Sequence, residues 1–236
     1  MKITIIIPVY NEQAHIEHML GSLVGQTTKP SQVIIVDDNS TDNTPSIIKK
    51  YVDPYPWITT VNTHKESKHS PGSKVIEAFY KGYEKCDLDA QLIGKFDADI
   101  ILPTNYLEKM IGIFASDNLV GMASGNLYIK KRDAWIFENI SEKTKVRGPI
   151  KLYKKECFEA IGGLKKSIGW DTVDGLLAAF HGWKTKTDPL LHVKHLKATG
   201  NAYTSGAKHK QGEAFYKMRY SKTLTRIAAL KLAVSK

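Results

Sequence analysis

Four short apolar runs, separated by stretches with helical spacing, constrain this chain more than any other feature. Lys2 to Ile7 is rich in β-branched residues and reads as a buried parallel strand that Pro8 should end. Ile16, Met19, Leu20, Leu23 and Val24 then recur at helical spacing, and Gln32 to Val36 resumes the short apolar pattern, giving a β-α-β opening. Asp42 or Thr41 can cap the next helix, which carries Ile47, Ile48 and Tyr51. Trp57 to Val61 supplies a third strand, Asn62 to Ser70 a polar loop, and Val75, Ile76, Phe79 and Tyr83 a third helix. Gln91 to Phe96 is the fourth strand. Tyr106 to Phe114 then reads as helix and Leu119 to Ser124 as extended chain. Alternation of this kind predicts an α/β fold with a doubly wound sheet.

The second half is less regular. Residues from about Asn126 to Gly148 mix aromatics with charges and show no clear period. Pro149 to Tyr153 reads as a strand and Lys155 to Ile161 as a short helix stopped by Gly162-Gly163. Asp171 to Phe180 follows as a helix with its acidic end first, and Lys184 to Thr187 and Leu190 to Leu196 as short strands. No internal repeat appears. At 236 residues and 42% hydrophobic content, one large domain with a substantial core plus a tail is expected.

Charge is unevenly placed. The net charge is +10, and Gly206 to Lys236 holds eight Lys or Arg against one Glu. From Phe215 onward, Tyr216, Tyr220, Leu224, Ile227, Leu230 and Leu232 recur among basic residues, which predicts an amphipathic cationic helix, suited to an anionic bilayer surface or, alternatively, to packing on the domain. No nucleic-acid module accompanies the charge, so nucleic acid is not an expected partner. No run approaches 18 apolar residues and the amino terminus has no signal-peptide pattern. Cys86 and Cys157 have no Cys-x-x-Cys spacing. These features predict a cytoplasmic protein, peripheral at the inner face of the cell membrane.

The chemistry concentrates at strand ends. Asp97-Ala98-Asp99 follows the fourth strand, whereas a second Asp-x-Asp, Asp87-Leu88-Asp89, falls in a polar break before it. With thirteen aspartates in the chain, about one such pattern is expected by chance, so position must separate them. Ligands of open α/β sheets bind beyond the carboxyl ends of strands, which favours Asp97 and Asp99 and leaves the earlier pair as a solvated turn. Magnesium and manganese prefer oxygen ligands and commonly combine one or two carboxylates with substrate phosphates. Asp37-Asp38-Asn39-Ser40 ends the second strand, where a carboxylate can accept a base N–H or, alternatively, serve an Asx turn.

Together these motifs resemble glycosyltransferase family 2, the inverting enzymes with a GT-A fold. Ile7-Pro8-Val9-Tyr10-Asn11-Glu12 looks like the family's opening strand and turn, Val36 to Asp42 like its base-binding segment, and Phe96-Asp97-Ala98-Asp99 like its metal motif. Tyr153 to Glu156, Ile161 to Leu164 and Gly169-Trp170-Asp171 resemble the acceptor side, so the likeness runs from about residue 2 to 197. The resemblance implies one GT-A domain, residues 1–200, with a Rossmann-like, mostly parallel central sheet flanked by helices. Its donor half would be residues 1–100, its acceptor half 101–200, and 201–236 the basic helical tail.

By the same resemblance, Pro8, Tyr10 and Glu12 flank the base and ribose, Asp38 contacts uracil, Asp99 is the metal ligand and Asp97 assists it. Lys74 approaches the donor diphosphate, with a solvated helix lysine as its alternative reading. His195 is the further metal ligand, in preference to His192. Asp171 is the general base that deprotonates an acceptor hydroxyl, with Asp174 the competing candidate; the family's usual Glu-Asp is Trp170-Asp171 here. The implied cofactor is Mn2+ or Mg2+, easing departure of the diphosphate. The implied partners are a nucleotide sugar, most simply UDP-linked, and a glycan or lipid-linked acceptor used in surface polysaccharide or glycolipid assembly. Transfer to polyprenyl phosphate is the alternative within this class. A sugar-phosphate nucleotidyltransferase, whose glycine-rich opening is missing here, and an inactive nucleotide-binding module are the alternatives outside it.

Overall fold

The computed structural model describes residues 1–63, 73–199 and 207–234. Its amino-terminal half alternates as the spacing predicts: β1 (Ile3–Val9), α1 (Ile16–Val24), β2 (Gln32–Asp37), α2 (Thr44–Val52), β3 (Ile58–Asn62), α3 (Ser73–Tyr83) and β4 (Leu92–Phe96). There follow β5 (Ile100–Ile101), α4 (Tyr106–Ser116), β6 (Val120–Lys131), β7 (Ala134–Phe137), β8 (Ile150–Lys154), α5 (Lys155–Ala160), α6 (Trp170–Phe180) and β9 (Lys184–His195). The tail forms α7 (Ala207–Lys217) and α8 (Lys222–Val234). The polar loop expected through Ser70 lies largely outside the described residues.

Among the described residues the strands form one nine-stranded sheet ordered β3-β2-β1-β4-β8-β6-β9-β5, with β7 paired to β6. β3, β2, β1 and β4 run parallel, β8 joins β4 antiparallel, and β6 and β9 are parallel to each other. Strand alternation explains the continuous apolar runs. Ile5, Ile7, Val33 and Ile35 pack with α1, α2 and α4 on one face, while Ile6, Ile34 and Val36 pack with α3, α5 and α6 on the other. Each such side chain, when fully buried, contributes about 1.5–3 kcal/mol of transfer free energy. α3 lies so close that a Cβ on Gly82 would stand 2.6 Å from the Ile6 side chain, and only glycine fits there.

Four details depart from the sequence reading. β1 passes through Pro8 to Val9 rather than stopping. The Val9 carbonyl accepts the Asp38 N–H at 2.8 Å, so the alternation turns the Pro8 nitrogen toward β4, whose pairing with β1 has ended at Ile6. Asp42 does satisfy the Thr44 N–H at 2.9 Å, but it stands one residue ahead of the helix boundary at Asn43. The two short strands expected after Lys184 are one strand, β9, bulged around Asp188 and Pro189 between the Thr187 and His192 pairings; the bulge tolerates the proline. The tail is two helices rather than one. Arg219 adopts φ 59°, and Tyr220 returns its N–H to the Phe215 carbonyl at 3.0 Å, while the rings of Phe215 and Tyr220 stack at 4.9 Å.

Candidate active site

The site begins where β4 ends. The Asp97 N–H donates to the Pro149 carbonyl at 2.9 Å, and one Asp97 oxygen pairs with the buried Lys95 ammonium. Asp99 leads into β5, which pairs with the end of β9 so that Ile100 stands opposite His195. That ladder carries His195 Nε2 to 3.6 Å from Asp99 Oδ2, across a long stretch of sequence. Burial, then the neighbouring Asp97 charge, pushes the Asp99 carboxyl up to about 6. His195 is raised: burial opposes its charge, but its hydrogen bond to Glu138 and the charge of Asp99 outweigh it.

Behind His195 lies a residue the sequence did not single out. Glu138, only 2% exposed, accepts from His195 Nδ1 at 3.2 Å, from Arg147 Nη2 at 2.9 Å and from the Thr199 N–H at 2.7 Å. Burial alone would raise its carboxyl, yet the His195 and Thr199 hydrogen bonds hold it down at about 2. No local pattern could have found it, because its partners lie 9, 57 and 61 residues away.

On the other wall, α6 begins at Trp170 and presents Asp171. Gly148 packs against that carboxylate; a Cβ there would lie 3.3 Å from Asp171 Oδ2. Asp174, one turn further on, is turned into the protein. It is 1% exposed and engages the Lys151 ammonium at 2.6 Å, the Tyr153 hydroxyl and the Gly175 N–H. Trp170 is buried as well, with the Lys95 and Lys151 ammonium groups 5.2 and 5.6 Å from its ring centre. It packs within the core while its edge reaches the cavity.

Between these walls is a cavity of about 560 Å³ lined by Asp97, Asp99, His195, Lys197, Arg147 and Asp171 among others. Thus Asp97, Asp99, His195 and Asp171, which the sequence proposed separately, share one cavity. A cation fits the Asp99 and His195 pair: a carboxylate oxygen and a ring nitrogen lie at 3.6 Å, a spacing that suits two ligands of one ion. Among the described residues no group of three or more His, Cys, Asp or Glu is arranged to hold a metal unaided, so the remaining ligands would come from a phosphorylated substrate.

Of the nucleotide-side candidates Asp97 lines this cavity, whereas Pro8, Tyr10, Glu12 and Asp38 do not. Asn11 Oδ1 accepts the Thr41 N–H at 2.8 Å and Ser40 Oγ accepts the Asn11 N–H at 3.0 Å, clasping the loops after β1 and β2. The clasp sets Pro8, Tyr10 and Asp38 at adjacent strand ends, with Tyr10 57% exposed and Asp38 accepting the Thr63 hydroxyl at 2.5 Å. Asp37 serves its own turn, accepting the Ser40 N–H at 3.0 Å. Glu12 pairs with Lys197, whose side chain lines the cavity. Lys74 lies in the first turn of α3 and is not among the cavity residues, although its neighbour Val75 is. His192 is exposed, stacks on Tyr128 at 4.1 Å and is also outside the cavity. Asp89 pairs with Lys2 on the exposed surface, as expected of a turn.

The family model described as glycosyl transferase family 2 matches residues 4–164, more than half of the chain. The chain belongs to glycosyl transferase family 2. Among curated relatives, an uncharacterised glycosyltransferase of Mycoplasma pneumoniae is 27% identical over 70% of this chain and 57% of its own length. A dolichol-phosphate mannosyltransferase of Pyrococcus furiosus is 26% identical over 87% of this chain and 57% of its own length. The chain therefore spans a little over half the length of these relatives. Two solved structures share its fold. The mannosyltransferase PcManGT from Pyrobaculum calidifontis, in complex with GDP-Man and Mn2+, superposes with a TM-score of 0.68 at 19% identity over 98% of this chain and 64% of that one. S. aureus TarS in complex with UDP-GlcNAc superposes with a TM-score of 0.69 at 16% identity over 92% of this chain and 65% of that one. The family and these neighbours identify the sheet and its flanking helices as a GT-A, Rossmann-like fold. None of the described helices is long and apolar enough to cross a membrane.

Proposed function

We propose that this member of glycosyl transferase family 2 transfers a sugar from a nucleotide sugar to an acceptor hydroxyl with inversion. The observation that carries the reading is one cavity holding Asp99 and His195 on one wall and Asp171 on the other. In this reading the strand ends bearing Pro8, Tyr10 and Asp38 receive the base and ribose, with Glu12 beside them; Lys74 has only its place at the start of α3 to support a diphosphate role. Residues 1–100 form the donor half and 101–200 the acceptor half.

Mn2+ or Mg2+, when bound by Asp99 and His195 with Asp97 beside them, supplies positive charge to the departing diphosphate. Asp171 takes the proton from the attacking hydroxyl, and one displacement opposite the nucleotide inverts the anomeric carbon. Asp174 is unsuited to that task because Lys151 and Tyr153 occupy its oxygens. A donor panel of UDP-, GDP- and dTDP-sugars, assayed with and without Mn2+ or Mg2+, tests the reading. Metal-dependent transfer or hydrolysis with one donor, most simply UDP-linked, is expected; binding without turnover of any donor would refute it.

A second reading, transfer to polyprenyl phosphate, is favoured by the likeness to the dolichol-phosphate mannosyltransferase over 87% of this chain. A phosphate nucleophile needs no base, so an Asp171→Asn protein that kept full activity on polyprenyl phosphate would select it. For the hydroxyl reading the acceptor class is a glycan or lipid-linked sugar of surface polysaccharide or glycolipid assembly. The tail supports a station at an anionic bilayer, the cytoplasmic face of the cell membrane being the simplest: α8 exposes Leu224, Ile227 and Leu230 alongside Lys222 and Arg226. Co-sedimentation with anionic but not neutral vesicles is expected; equal partition to both would exclude an electrostatic anchor.

A further inference from the structure

We infer that Glu138 is a positioning residue: it fixes the His195 imidazole with Nδ1 facing inward and Nε2 presented beside Asp99 for a divalent cation. The inference rests on the metal site of the proposed function and adds the group that makes it.

The geometry leaves Glu138 little freedom. Arg147 grips it twice, through Nη2 to Oε2 at 2.9 Å and through Nη1 to the Glu138 carbonyl at 3.2 Å. The Thr199 N–H holds Oε1 at 2.7 Å. With both oxygens anchored, the face toward His195 meets Nδ1 at 3.2 and 3.3 Å. A carboxylate only accepts hydrogen bonds, so Nδ1 must carry the proton and the lone pair of a neutral ring is left on Nε2. That nitrogen faces Asp99 Oδ2 at 3.6 Å on the cavity wall. A carboxylate behind a ligating imidazole fixes the tautomer and raises ligand basicity, and its loss commonly costs about 10–100-fold in metal affinity. Glu138, Arg147 and His195 are all buried, which leaves the carboxylate as the partner of Nδ1.

The same carboxylate also joins the two walls of the site. Arg147 is followed by Gly148, which packs on Asp171, while Thr199 stands two residues after Lys197, which lines the cavity and pairs with Glu12. A role confined to holding Arg147 would make Glu138 an ordinary buried ion pair, and the experiment must separate the two.

Mn2+ binding, read by electron paramagnetic resonance with UDP or GDP present, is compared in the wild type, Glu138→Gln, His195→Ala and the double variant. Glu138→Gln is expected to weaken Mn2+ about 10–100-fold, and to weaken it no further once His195 is alanine. Unchanged affinity in Glu138→Gln, or an equal loss in the His195→Ala background, would overturn the inference while leaving the metal site standing. A wild type that binds no Mn2+ with either nucleotide would overturn the metal site and this inference with it. Should Glu138→Gln not fold, 15N-histidine spectra of the wild type with Mg2+ and the same nucleotides decide. A proton retained on Nδ1 of His195 while Nε2 shifts is expected, and a proton on Nε2 in the Mg2+ complex would overturn the assignment.

Discussion

Two buried networks of charge flank the cavity, and they differ in one respect. Under α6, Asp174 meets Lys151 and Tyr153, and its carboxylate is turned wholly into the protein. In the other, Asp99, His195, Glu138 and Arg147 form a chain of similar burial, of which Asp99, His195 and Arg147 line the cavity. In the first, burial pushes the Tyr153 phenol well above its ordinary value and lowers the Lys151 ammonium. In the second, it raises Asp99. Burial and shifted titration therefore do not by themselves mark a functional group. What separates the networks is whether an oxygen or nitrogen still faces the cavity.

The contrast makes Asp174 a folding residue and leaves Asp171, three positions earlier, facing the cavity as the proposed base. The largest effect is expected for Asp174→Ala, which strands a buried ammonium and a buried hydroxyl and should cost about 3–5 kcal/mol of stability. Urea unfolding measures it, and a loss below about 1 kcal/mol would erase the distinction. Asp171→Asn should leave stability within about 0.5 kcal/mol and lower kcat toward a hydroxyl acceptor by about 10²–10³-fold. Near-normal turnover with that acceptor would remove Asp171 as the base.

The smallest effect sharpens the open network. The folded Asp99 carboxyl titrates at about 6, above its ordinary 3.8, so the folded state holds that proton more tightly and the charge is a liability above that range. Stability from this group therefore rises as pH falls through the window. In EDTA, Asp99→Asn should melt above the wild type at pH values above about 6, with the gap closing toward about 4. A gap independent of pH would place the penalty elsewhere.

The parallel amino-terminal half was legible because its signals are local. β1, β2 and β4 each show a short apolar run, and the loops that follow them carry Tyr10, Asp38 and Asp97 at fixed offsets from strand ends. The stretch from about Asn126 to Gly148 was not. β6 and β7 lie in the stretch with no clear period, where the hairpin leaves Trp135 and Phe137 half-buried and Ile136 exposed, so apolar residues do not report the interior. Asp171 and Asp174 look alike in sequence as acids near one helix start, and only their packing against Gly148 and Lys151 tells them apart. Trp170, which breaks the family's acidic pair, is accounted for by the two ammonium groups over its ring.

The sequence by itself determined the parallel half of the sheet, the family, and the aspartates at its strand ends, because those depend on periodicity and on residues close together in the chain. Only the tertiary structure decided which acid faces the cavity, why His195 joins Asp99 and what Glu138 does. Those relations are made by β5 pairing with β9 and by side chains meeting across 57 or more residues. A one-dimensional pattern carries no record of such a meeting, whereas a hydrogen-bonded ladder fixes it.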